Sequence, residues 1–360
     1  MERAIQADLA SVPGLRVPLR LWLLPIAGTL VYPLLLNSYS AAAHAAAAGA
    51  APLPRLALFI AALSFMLAAL AVSCLALGSL MRLDSRDSAR LRFLLRLLLV
   101  AAATPPVYVL ALQLTFALRI SEYLNVLWCV AWALAGAATW WHLRVAQGRE
   151  NSRADAILDG WIPALRVTHG VAALTLLIVF LAAHLANHLA ALWTVEAHQA
   201  LMKLLRLWYR AAWVEPIVLS LCFVMIVTGL VLVEFHTRTP GDRYRRVQTA
   251  AGVYLLAFMF AHTYAVLSGR SAHLETDWLF ASGGPTGLLL GSSYFLIPYY
   301  PFAVIAVSAH VALGLRIVLL QHRTHPAAAT RVTYAISALG AAAAVLIATA
   351  LLGVHFGGGE

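Results

Sequence analysis

The chain has 360 residues, of which 62% are hydrophobic and only 11% charged, with a mean hydropathy of +0.83 and a formal net charge of +10. A soluble domain of this length does not have that composition, so a water-soluble enzyme and a nucleic-acid-binding protein are set aside and a polytopic membrane protein is expected. Three cysteines, Cys74, Cys129 and Cys222, lie inside apolar runs without C-x-x-C or C-x-x-C-H spacing, which argues against an iron-sulfur cluster, a covalently attached haem or a disulfide framework in this chain.

A membrane helix needs roughly 20 apolar residues. Nine runs are long enough, at residues 20–38, 56–80, 94–118, 122–142, 166–192, 212–235, 248–268, 298–320 and 331–355. With the N-terminus in the cytoplasm, the inner segments between these runs hold 19 Lys and Arg and the outer ones 6. Cytoplasmic loops carry the positive excess, so this orientation is favoured and the basic charge is mainly a topology signal.

In chain order, the first run and the alanine-rich stretch after it resemble a secretory signal peptide. With Met1 as the first residue, a retained first helix is expected instead. Ala41 to Ala51, interrupted by His44, is expected to be a loop or short helix on the outer surface. The charged turn MRLDSRDSARLR leads into the third run, where Pro105 and Pro106 should kink the helix. His142, beside Trp140 and Trp141, sits in an interfacial aromatic belt. No buried carboxylate or paired broken helix marks a transporter core in this half. The polar connector from Arg144 to Pro163 is the best boundary in the chain. It divides a four-helix membrane region of unassigned role at 1–150 from a five-helix region at 151–360. The expected fold is therefore an all-α integral membrane protein of about nine transmembrane helices.

Eleven of the thirteen histidines lie after residue 150. Ionisable side chains inside a membrane are costly and usually face the bundle interior. At 1.5 Å per residue, His184 and His262 lie about 12 and 9 Å from the outer ends of their runs, and so share a depth. His188 lies one turn beyond His184, about 6 Å from the outer end, and His169 about 22 Å below His184 near the inner interface. His310 lies about 18 Å from its outer end, level with Met225. Histidines at matched depth on different helices suit a transmembrane haem, which takes His/His or His/Met axial ligands. Gly170, Gly229, Gly252 and Gly314 would leave room for the ring. Hydrogen bonds from each histidine to a neighbouring carbonyl are the structural alternative.

RVTHGVAALTLLIVFLAAHLANH, FVMIVTGLVLVEF, AGVYLLAFMFAH and SAHVALGLR, in that order, resemble the helices of the cytochrome b membrane anchor of succinate dehydrogenases and fumarate reductases, the single-chain five-helix type. The resemblance covers residues 165–355. It implies that His184 and His262 bind one haem b, while His310 faces Met225, where the family has a histidine. A second haem would then be absent or have His/Met ligation. It further implies a quinone as redox partner, flavin and iron-sulfur subunits as protein partners, and the bacterial inner membrane as location. HLANH, through His188, is also similar to the membrane domain of certain bacterial nucleotide cyclases. The first four helices belong to neither pattern.

The outer segment TVEAHQALMKLLRLWYRAAWVEP offers Glu196 or His198 to take a quinol proton and Arg210 to bind haem propionates, although it reads equally well as an amphipathic lipid anchor. The expected function is thus an electron-transfer cytochrome b subunit of a respiratory oxidoreductase, without the motifs to do substrate chemistry alone. The alternatives are a haem- or quinone-sensing membrane module and a haem-free scaffold with structural histidines.

Overall fold

The computed structural model describes residues 17–49, 51–83, 88–144, 152–238, 241–284 and 287–357. These residues contain helices and connections and no strand. The first half comprises α1 (Leu23–Ala47), α2 (Pro52–Arg82), α3 (Ser88–Ala102), α4 (Thr104–Ala117) and α5 (Leu124–Arg144). The second comprises α6 (Ser152–Leu176), which runs through a π-helical turn at Leu177–Leu181 into α7 (Ala182–Ala190), then α8 (Val195–Tyr209), α9 (Val214–Arg238) and α10 (Arg243–Ser271). Two short helices, α11 (Trp278–Ser282) and α12 (Gly287–Leu290), precede α13 (Tyr299–Gln321) and α14 (Pro326–Leu351).

Among the described residues, seven helical segments are long and apolar enough to cross a membrane: Pro52–Arg82, Ser121–Arg144, Asp159–Ala190, Val214–Arg238, Arg243–Ser271, Leu296–Gln321 and Pro326–Leu351. The bent pair α3–α4 makes an eighth if it counts as one span. Nine are expected from the sequence. The difference lies in α1, which is long enough but carries Thr29, Asn37, Ser38 and Ser40 among its apolar residues. The outward residues suit lipid. Val167, Val171, Leu174 and Ile178 form an exposed apolar stripe on α6, each more than half exposed, at the i, i+4, i+7, i+11 spacing of one helix face. Such a stripe marks contact with lipid or protein rather than water.

Local chemistry accounts for where helices break or continue. Pro105 and Pro106 occupy the first turn of α4, where a missing N–H is tolerated, and the axis turns by 80° between Ala102 and Thr104. The expected kink is therefore a full break. Thr104 Oγ1 donates to Ala101 O at 2.6 Å and lies 3.3 Å from Thr29 Oγ1 on α1. The alanine stretch, expected as a loop or short helix on the outer surface, continues α1 to Ala47, as alanine's high helix propensity allows. The polar connector expected as the boundary, Arg144 to Pro163, is helical from Ser152. Pro163 sits inside α6, and residues 145–151 lie outside the described residues.

In the second half, α9 packs on α6, α10 on α9, α13 on α10, α14 on α13, and α14 meets α7. The five spans thereby close on themselves. The first half attaches through α10, which also packs against α2, α3 and α4. Arg246 Nη1 on α10 donates to the carbonyls of Leu80 and Leu83 at the end of α2, at 2.8 and 2.6 Å. Gln113 Nε2 on α4 donates to Ala261 O at 2.9 Å. One buried core runs from Tyr32 and Leu98 to Tyr254 and Ala306, across the expected boundary.

The tightest helix approach is between α13 and α14, where a Cβ added to Gly340 would fall 2.1 Å from Ser308 Cβ and Oγ. Gly340→Ala gains about 1 kcal/mol of helix propensity but overpacks a close contact, which typically costs 1–3 kcal/mol. A net loss of roughly 1 kcal/mol is expected. It should be visible as a lower unfolding midpoint in detergent and be reversed by adding Ser308→Gly.

Candidate functional site

The π-helical turn at Leu177–Leu181 sits between the two inward histidines of the α6–α7 span. Fifteen residues of ideal α-helix leave His169 and His184 about 60° apart. A π turn carries an extra residue and changes that phase, and such turns are frequent at functional sites. Both rings then project into the bundle, one to each of two partner helices.

His184 faces His262 on α10 with ring centroids 6.1 Å apart and planes at 66°. Each ring is stacked on the phenylalanine one turn before it: Phe180 on His184 at 4.9 Å and 20°, and Phe258 on His262 at 5.1 Å and 10°. Phe258 is in turn held by Tyr299, whose ring lies 4.6 Å away. Packing rather than hydrogen bonding sets these two imidazoles.

The second pair differs from expectation. The ring facing His310 on α13 is that of His169, at 6.1 Å and 70°. Met225, expected opposite His310, is half-buried on α9. The reason is the length of the helix. The span runs from Asp159 rather than residue 166, which lifts His169 about 15 Å from its end and into the bundle. Here hydrogen bonds do set the rings. His310 Nδ1 bonds Gln248 O at 3.0 Å, and His169 Nδ1 lies 2.8 Å from Thr228 Oγ1, whose own hydrogen goes to Val224 O. Both Nδ1 atoms therefore carry the proton, which leaves each Nε2 as a free lone pair.

Beyond His184, toward the α7–α8 turn, lies a third group. His188 is 4.7 Å from His184 and 5.5 Å from His198, ring to ring, and Trp278 lies 4.8 Å from His198. Thr194 caps α8 through its side chain and so turns His198 inward. Asn187 Nδ2 donates to His198 Nε2 at 3.1 Å. Asn187 Oδ1, His188 Nδ1 and His198 Nδ1 have no partner in the structure although all are buried. Burial pushes the His198 imidazolium down to about 4, Asp277 opposes this, and Arg206 adds to it.

The remaining expected residues are separated. Glu196 is exposed on α8 while His198, two positions on, is buried; residues two apart on a helix point to different sides. Arg210 is held at the opposite margin by Thr276 Oγ1 at 3.2 Å. Its guanidinium is pushed below its usual value by burial and then by Arg206 and Arg270.

The residues fit a haem better than a bare ion. Among the described residues no three His, Cys, Asp or Glu groups gather closely enough to hold a metal ion. A haem iron needs only two axial donors. Two imidazoles on opposite sides of one metal, with metal-nitrogen bonds of roughly 2 Å, put ring centroids about 6 Å apart, which is the separation of both pairs. The rings keep accessible surface although they lie deep in the protein. Gly252 lets the His310 ring within 3.1 Å of where a Cβ would stand, and Gly229 lies 3.7 Å from the His169 ring by the same measure. Sequence reasoning passed over one signal for the first pair: FLAAH and FMFAH share F-x-x-A-H, with both aromatic rings on one helix face.

A test of the His198 environment follows from its lowered proton affinity. The unfolded imidazole titrates near 6.5 and the folded one near 4, so folding is favoured above pH 6.5 and that contribution is lost as pH falls from 6.5 toward 4. In His198→Gln, the unfolding midpoint measured against pH should fall less across this window than in the parent chain. Compared with known protein families, curated proteins and solved structures, the chain matches none.

Proposed function

We propose that the chain is a membrane cytochrome b that transfers electrons between a quinone pool and a partner redox protein. The observation that carries this reading is the occurrence of two facing imidazole pairs, each at 6.1 Å, inside one apolar helical bundle. His184 and His262 would hold one haem b, and His169 and His310 a second. Haem b, when bound, accepts and releases single electrons. The protein's own contribution is to place the two pairs at two depths, about 22 Å apart along α6–α7, out of a bilayer core about 30 Å thick.

The supporting residues set the donors. Thr228 and Gln248 O fix the tautomer and tilt of His169 and His310, the usual role of a partner on the non-ligating nitrogen. Phe180 and Phe258 restrict His184 and His262 by stacking. At the His184 end, His198 lies next to His188; its Nε2 accepts from Asn187, so its unpartnered Nδ1 carries the ring proton and would donate it to a quinone oxygen. Glu196, exposed on α8, would exchange protons with water at the same margin. Arg210 would approach haem propionates. In this reading α1 and the broken α3–α4 segment complete nine spans. The arginine-rich end of the bundle is then cytoplasmic, in a bacterial inner membrane, and flavin and iron-sulfur subunits would supply the substrate chemistry.

Haem content of the purified chain tests the proposal. Two extractable b-type haems per chain are expected, with a reduced-minus-oxidised b band. His184→Ala and His262→Ala should each leave one haem with the same residual spectrum. His169→Ala and His310→Ala should each leave the other. Met225→Leu should keep both. A purified chain without a b band, or a full spectrum in His184→Ala, would sink the assignment. A second expected outcome concerns spacing: Gly252→Val crowds the His310 ring and should reduce occupancy of that pair while leaving the His184 pair intact.

A further inference from the structure

At the arginine-rich end of the bundle, immediately beyond the His169/His310 pair, a cavity of about 300 Å³ opens between the start of α10 and the last turns of α13. Its walls include Asp242, Tyr244, Arg245, Gln248, Arg316 and Ile317. The two guanidiniums define its chemistry. Arg316 lies over the Tyr244 ring at 4.0 Å and reaches Thr330 Oγ1 at 3.5 Å. Arg245 Nη1 donates to Gln248 Oε1 at 3.2 Å. Among the described residues neither arginine pairs with a carboxylate. The one acid in the wall, Asp242, accepts from the backbone N–H of Arg245 as the N-cap of α10.

Other arginines at the ends of the bundle have acids: at this same end Arg96 and Arg238 share Glu234. At the opposite end Arg206 bonds Glu275 at 3.4 Å, and Arg270 pairs with Glu215. At the cavity end Arg166 stacks near Phe235 and adds a third positive group on the Arg245 side. A half-enclosed cavity with two guanidiniums that form no ion pair among the described residues, against one N-capping carboxylate that partly offsets Arg245, is suited to an oxyanion. Arg is suited to it because its planar donors match the oxygens of phosphate. Basic pockets between membrane helices at this face accept anionic lipid headgroups.

We propose that this cavity binds the phosphate of an anionic phospholipid headgroup, held between Arg245 and Arg316, with the acyl chains lying along α10 and α13. The site is separate from the imidazole pairs and does not rest on their binding haem. Gln248 joins the two places, however, since its side chain engages Arg245 while its carbonyl holds His310.

The test uses the full chain in detergent, titrated with phosphatidylglycerol, phosphatidylcholine or inorganic phosphate. Unfolding midpoint and native mass spectrometry are the readouts. Phosphatidylglycerol should raise the midpoint and be retained as one molecule per chain, and phosphatidylcholine should do neither. Arg245→Gln combined with Arg316→Gln should weaken phosphatidylglycerol binding about thirtyfold, from the loss of two lipid-facing charges. Ile317→Trp keeps both arginines but fills the cavity, and it should also abolish retention. Inorganic phosphate that stabilises the chain as well as the lipid does would keep the oxyanion site and reject lipid as its source. Equal stabilisation by the two lipids, or undiminished retention in Ile317→Trp, overturns the proposal.

Discussion

Inside a bilayer an imidazole has no water to bond to, so its ring nitrogens must find partners from the protein or a bound group. The bundle meets this constraint in two ways. At one level His169 and His310 each give Nδ1 to a fixed acceptor, with the two rings 6.1 Å apart. At the other level His184 and His262 are clamped by aromatic stacking and left without a hydrogen bond among the described residues. Unbonded polar atoms in an apolar interior are costly, which makes a bare pair of this kind a poor structural device and a good place for a ligand. The same logic applies to Asn187, His188 and His198, whose unpartnered atoms gather beside Trp278.

The helix α10 joins these features. It carries His262 and supplies the carbonyl that holds His310, and its glycine at 252 gives that ring space. The first half of the chain packs against this helix at both ends: Arg246 reaches back to the end of α2, and α4 meets it at Ala261, the residue before His262. Val109, Ala261 and Tyr299 are buried together there. The break at Pro105 and Pro106 thus has a consequence for the site, since it redirects α4 onto the segment that carries a candidate ligand. The first half of the chain thereby braces the helix that carries His262.

Most arginines at the bundle ends are paired, Arg96 and Arg238 with Glu234 at the His310 end among them. Arginines near the His184 end are tied to glutamates or to the loop at Thr276, whereas Arg245 and Arg316 at the His310 end face an open cavity. Paired charges at a bundle margin lock loops in place. Charges without a partner beside a cavity attract ligands, because their field is not cancelled locally.

Much of this was legible in the residues themselves. Composition and the length of the apolar runs specify a helical membrane chain, because hydrocarbon thickness and backbone hydrogen bonding leave few other options. Depth counting along two runs matched His184 with His262, since helical rise converts residue number to distance with little error over a short run. The same counting failed for His169, because it depends on where the helix begins, and the polar residues at 152–163 that read as a connector are helical. Nor could residue spacing tell that the His169 ring lies beside that of His310, that two prolines break an axis by 80°, or that Glu196 and His198 part company. Those outcomes depend on which faces of several helices meet at once. Only tertiary packing decides that, because each helix alone permits several rotations about its axis and the bundle selects one.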